Sequence, residues 1–149
     1  MKILASKKLM MTCSSIGAIG GIITHLLGGF DKGLILLIAL MVADYITGVI
    51  VAGVFRKSYH SKAGGLSSKA GKEGLSKKVT VLIFVIIGAL MDDYFGIDVV
   101  RNSIIIGFSA NELISVVENA GLMGLPLPTA ITNAIEILKH NAETKEVAK

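Results

Sequence analysis

Few side chains in this sequence are placed to do chemistry, and the most informative is an acid in apolar surroundings. Asp44 lies near the middle of the apolar stretch 33–55. A carboxylate at the centre of a membrane-inserted helix costs about 2.5–3.5 kcal/mol on insertion scales, so it must face protein or water rather than lipid. On a helix Asp44, Thr47, Gly48 and Val51 share one face, a polar stripe with a glycine for close packing. The stripe fits a pore-lining or proton-binding site, and equally a protonated acid hydrogen-bonded between helices. A second polar constellation lies in 99–117, with Arg101, Ile105, Phe108 and Glu112 on one face and Asn111, Ser115 and Glu118 on another. Such a segment is too polar to stand alone in lipid. It either lines an aqueous path, the reading we favour, or pairs with the helix bearing Asp44.

Catalysis has little support. The run from Gly64 to Glu73 looks like a nucleotide loop, but the spacing of Gly65 and Gly71 is one residue too long and Glu73 stands where a magnesium-binding hydroxyl belongs. It reads as a flexible basic loop. His25, His60 and His140 lie in unrelated segments without metal-ligand spacing. Ser and His form no triad pattern. We therefore expect no enzyme, no metal site and no cofactor.

The elements that position these residues follow from composition. Of 149 residues, 52% are hydrophobic and only 17% charged, and the mean hydropathy is +0.71. A soluble domain carries about a quarter charged residues, so too little water-compatible surface exists here. Disorder is excluded by the same composition, and a disulfide scaffold by the single Cys13. The fold class expected is an all-α integral membrane protein with four transmembrane helices, a basic cytoplasmic loop and a C-terminal amphipathic helix. The spans fall at about 10–30, 33–55, 79–97 and 99–117, within a transmembrane domain 1–121. The third has only a short apolar core, so it spans only by snorkelling of Lys77 and Lys78, bilayer thinning, or continuation towards Ile97. Past it, Pro126 and Pro128 break the chain, and the segment 122–149 holds a helix starting near Thr129, with Ile131, Ala134, Ile135 and Leu138 on one face.

The net charge of +4 is explained by position. Lys2, Lys7 and Lys8 precede the first apolar stretch, and Arg56, Lys57, Lys62, Lys69, Lys72, Lys77 and Lys78 crowd the second loop. Basic clusters beside apolar segments mark cytoplasmic flanks and suit anionic headgroups. Four spans place both termini and this loop in the cytoplasm. A nucleic-acid partner has no motif or aromatic support. A cleaved signal peptide is disfavoured because no clean cleavage site follows the apolar stretch. Small residues recur four apart at Gly17/Gly21, Ala39/Ala43, Gly48/Ala52 and Ser103/Gly107, which suits tight bundling and self-association in a membrane.

Taken in order, these features resemble a known family. Asp44-Tyr45-Ile46-Thr47-Gly48 is followed by a Lys/Ser/Gly loop ending Gly74-Leu75-Ser76-Lys77-Lys78. After a short apolar span come Asn111-Glu112 and Glu118-Asn119-Ala120-Gly121, then Gly124-Leu125-Pro126-Leu127-Pro128. The pattern, over roughly residues 33–140, is similar to phage holins of the toxin-secretion/phage-lysis type, including the holin-like proteins of clostridial toxin loci. The resemblance implies a protein that accumulates in the bacterial cytoplasmic membrane and self-assembles into a lesion. The lesion releases an endolysin or a large toxin, which need not touch the holin directly. The rivals are a small proton- or cation-coupled transporter or channel, and an antiholin or membrane scaffold. Met10 and Met11 also offer a second start that would omit Lys2, Lys7 and Lys8.

Overall fold

The computed structural model describes residues 17–58, 65–134 and 136–137. Among them every regular element is helical: α1 (Gly17–Leu26), α2 (Lys32–Ile50), α3 (Ser68–Phe95) and α4 (Val100–Leu122), with a π-helical turn, Val51–Phe55, extending α2. Residues 129–134 begin a short C-terminal helix. The expected positions of Lys62, Met10, Met11 and Leu138 lie outside the described residues, as do the side chain of Ile135 and the start of the first span.

Local signals explain the boundaries. α1 ends in a turn through Gly28 and Gly29, both at positive φ (75° and 98°), with Gly29 N–H donating back to Thr24 O at 2.9 Å; glycine enters that region without steric cost. Asp31 then caps α2, its Oδ1 accepting from Leu34 N–H at 2.8 Å. α2 with its π turn runs Lys32–Phe55, 24 residues, or about 36 Å at 1.5 Å per residue. Ser67 caps α3, accepting from Ala70 N–H. The loop expected over 56–78 is therefore shorter than its composition suggests. Residues 68–78 are the first turns of α3, because a capped nucleus and a long apolar continuation outweigh the helix-weakening Gly71 and Gly74. α3 continues to Phe95 and closes on Gly96 at φ 67°.

α2 and α3 are each long and apolar enough to cross a bilayer, and only 22% and 17% of their most apolar windows is buried. The core helix of a water-soluble protein would be mostly buried. Here Ile22, Leu36, Val54, Ile83 and Ile106 all lie on the outside, an exposed apolar surface that lipid, not water, accommodates. The described residues are all-helical, with two helices able to cross a membrane, as expected of a membrane protein. α1 is a shorter apolar helix.

α4 is the centre of the bundle. It packs against both α2 and α3, whereas α2 and α3 barely meet. The core comprises Leu27, Leu34, Leu37, Met41, Val81, Val85 and Ile105, with Ile38, Leu82, Ile86, Ile104 and Phe108 packed against it. Arg101 meets Asp31 at one end, and Lys57 Nζ donates to Leu122 O at the other. α2 and α4 therefore run parallel, and α3 runs antiparallel to both. At the α3–α4 hairpin, a Cβ on Gly88 would lie 2.7 Å from Ile104 Cδ1 and 3.0 Å from Arg101 Cα. Only glycine permits that approach.

Candidate functional site

Asp44 is neither lipid-facing nor alone. Lys78 of α3 donates to its Oδ2 at 2.9 Å and also pairs with the Glu112 carboxylate of α4. Asn119 Nδ2, two helical turns beyond Glu112, donates to Asp44 Oδ1 at 3.1 Å and to Thr47 Oγ1 at 3.0 Å. Thr47 returns its own hydroxyl proton to Ala43 O at 2.9 Å. The ionic side chains are largely withdrawn from solvent, at 11% exposure for Lys78, 23% for Asp44 and 8% for Glu112. Three helices thus contribute one ammonium and two carboxylates to one cluster near mid-height of α2. Pairing offsets the cost of holding these charges in low dielectric. Removing one partner of such a group costs about 3–5 kcal/mol, because a buried charge is left uncompensated.

Sequence reasoning found Asp44, Thr47 and Glu112 but assigned Lys78 to the headgroup-facing lysines. The structure turns Lys78 inward and leaves Lys77 exposed. The signal was periodic: Lys78, Val81, Val85, Gly88 and Asp92 form one stripe at helical spacing, and the last four are the buried residues of α3. Asn119 was legible the same way, being seven residues from Glu112.

A second polar knot closes the hairpin end. Arg101 donates from Nε to Leu27 O at 2.6 Å, from Nη1 to Asp31 Oδ2 at 2.6 Å, and from Nη2 to Gly29 O at 3.0 Å. Asp92 of α3 caps α4, its two oxygens accepting from Val100 and Arg101 N–H at 2.9 Å each. Val99 offers no side-chain cap of its own. Asp31 precedes the span, and its carboxyl is held below the usual carboxylate range, first by the Arg101 hydrogen bond and then by Leu34 N–H.

The polar residues of α4 therefore part company. Arg101 and Glu112 face inward with partners in the same chain, while Asn111 and Glu118 lie on the outside. Ser115 is half-buried and donates to Asn111 O at 3.2 Å. Ser109 is buried one turn from Glu112, its hydroxyl without a partner among the described residues. Of the small-residue pairs, Gly17, Gly21 and Gly107 face open space, and Ala39 and Ser103 are exposed. Gly48 sits below Asn119, 3.8 Å from its Nδ2, and Ala52 is buried. Arg56 adopts a left-handed conformation (φ 52°) at the end of the π turn. Lys69 faces Glu73 on the exposed side of α3 at 3.9 Å, and Lys72 is exposed as well. Among the described residues no group of three His, Cys, Asp or Glu is assembled to hold a metal.

The sequence model of the bacteriophage holin family matches residues 21–140. The chain belongs to that family. The match takes in the whole cluster and both ends of the holin bundle. Similar proteins include an uncharacterised protein of Listeria monocytogenes, 37% identical over 119 residues (79% of each chain). Another, from Listeria innocua, is 34% identical over 128 residues (85% of this chain, 86% of the other). A probable holin of Bacillus phage phi105 is 28% identical over 118 residues (78% and 82%). No solved structure matches this holin-family chain.

Proposed function

We propose that this protein is stored in the bacterial cytoplasmic membrane as the closed bundle described above. On triggering, many copies assemble into a lesion that lets a cell-wall-degrading endolysin, or a large toxin, leave the cell. The observation that carries this reading is the pairing of the cluster. Charges that could line water are satisfied within one chain, so each copy can accumulate in lipid, yet rearrangement would release a hydrophilic face. Family membership and the phage phi105 relative support the same reading.

In this reading the chain crosses four times, through α2, α3, α4 and a first span expected over about 10–30 whose start lies outside the described residues. Arg56, Lys57, Lys69 and Lys72 gather at one end of the bundle, and Asp31, Asp92, Asp93 and Asp98 at the other. By the positive-inside rule the basic end is cytoplasmic, with both termini, and the lysines there meet anionic headgroups. Partners are further copies of the chain and anionic lipid; the endolysin or toxin needs no direct contact. No catalytic step is required.

Inducible expression in a bacterium tests the proposal, with growth, membrane potential and escape of a cytosolic reporter protein followed together. Abrupt growth arrest with depolarisation and reporter release is expected. Continued growth with intact potential, at verified membrane expression, would sink the autonomous lesion and leave an antiholin or scaffold. The transporter or channel reading is favoured by a carboxylate at mid-span. It requires an ionisable side chain at 44 and passes nothing large, whereas a lesion tolerates Asp44→Asn.

A further inference from the structure

The attachment of α3 to the bundle is lopsided. Its buried residues, Val81, Val85, Gly88 and Asp92, all lie on the hairpin side of Lys78. On the other side, residues 68–77 bury none of their side chains. Near α2 that half brings Gly71 close to the Tyr45 hydroxyl, 3.7 Å from where its Cβ would be, and Leu66 just before α3 lies against Gly53, its Cδ1 3.4 Å from where a Cβ there would be. Lys78 stands at the boundary, and its ammonium ties α3 to α2 through Asp44 and to α4 through Glu112. Beneath it lies a polar face built from both partner helices. Asp44 and Thr47 come from α2 and Glu112 and Asn119 from α4, with the Ser109 hydroxyl, which has no partner among the described residues, one turn away.

We infer that Lys78 is the latch of the closed state: it holds α3 over this face, and its release lets α3 swing out so that Asp44, Thr47, Glu112 and Asn119 meet water. The inference rests on the lesion reading and names its control point. The charged groups on the packed elements give the latch its direction. α2 contributes Asp44, α3 contributes Lys78, and α4 contributes Glu112, with Glu118 further along on the exposed side. Without Lys78 the two carboxylates have no cation between them, so the arrangement that loses least is one in which water reaches them. The hairpin half stays packed through Val85 and Gly88, which makes the stretch between Val85 and Lys78 the pivot of the movement.

The test reads α3 movement directly. Val81, one turn from Lys78 and buried, is replaced by Cys in a Cys13→Ala background, and membrane vesicles are treated with a charged, membrane-impermeant maleimide. Lys78→Met is expected to raise the labelling rate about tenfold or more, since orphaning a buried charge outweighs the free energy of a tenfold population change. Lys78→Arg, which keeps the cation, is expected to stay near the parent rate. The neutral triple variant Lys78→Met, Asp44→Asn, Glu112→Gln is expected to return to it. Unchanged labelling in Lys78→Met, or a triple variant labelled as fast as the single, overturns the latch. Should Lys78→Met fail to accumulate, recovery of membrane levels in the triple variant supports the latch and continued absence overturns it. Labelling that rises while the vesicles stay impermeable to a trapped protein keeps the latch and sinks the lesion.

Discussion

Replacing Arg101 by methionine removes one guanidinium from a site where three acceptors converge, and keeps an unbranched apolar stem. The loss follows from those acceptors. Leu27 belongs to the buried core, so its carbonyl, left unpaired, costs about 1–3 kcal/mol. The Asp31 pair contributes less, because that carboxylate is 49% exposed and water screens it, leaving about 1 kcal/mol. Gly29 O turns to water at little cost. The sum is about 2–4 kcal/mol, a large share of the 5–15 kcal/mol that stabilises a typical domain. Arg101→Lys keeps the charge but lacks the planar fork, so it serves one acceptor well and recovers only part of the loss. The assay is unfolding in mild detergent, followed by helical circular dichroism while a denaturing detergent is titrated in. The expected order of stability is Arg101, then Lys, then Met. A methionine variant within about 0.5 kcal/mol of the parent, the range of ordinary surface substitutions, would refute the claim that this knot closes the hairpin end, as would full rescue by lysine.

Two further predictions concern the same end of the bundle. Because Asp31 is held below the usual carboxylate range, its charged form is favoured in the folded state. Its stabilisation is present above the unfolded value and is lost as pH falls through the lower folded one, below about pH 4. The parent should therefore lose more thermal stability on acidification through that range than Asp31→Asn, which retains a side-chain oxygen to cap Leu34; parallel curves would remove Asp31 from the account. Gly88→Ala places a Cβ against Ile104 and the Arg101 backbone and should destabilise by about 1–3 kcal/mol, the usual range for overpacking. Gly107→Ala, with open space around it, should leave the stability of a single copy unchanged, and equal effects at the two glycines would contradict the close α3–α4 approach.

How far the chain could be read without its fold depended on whether a property was local. Membrane residence and helical class were legible because hydropathy over a run such as Leu34–Ala43 and the scarcity of charge need no tertiary contact to take effect. The burial of Asp44 was legible as a constraint, since a carboxylate within the apolar stretch 33–55 had to find a partner. Which partner it found was not. Composition alone marked Lys78 as one more flank lysine beside Lys77, and Arg101 as a residue facing water. Arg101 instead fills the turn between α1 and α2, where Gly28 and Gly29 bring backbone carbonyls within its reach.

Length, charge distribution and apolar runs by themselves determined that this protein is helical and lives in lipid, and they placed an acid where it could not remain unpaired. The cluster was decided only in three dimensions. Lys78 is 34 residues from both Asp44 and Glu112, and whether its ammonium reaches them depends on the rotation of α3 about its axis and its height against α2 and α4. Neighbouring helix residues point about 100° apart, so Lys77 and Lys78 are equivalent in composition but lie on different faces. Packing of Val81, Val85 and Gly88 against α4 sets that rotation, and with it which lysine faces water and which holds the bundle together.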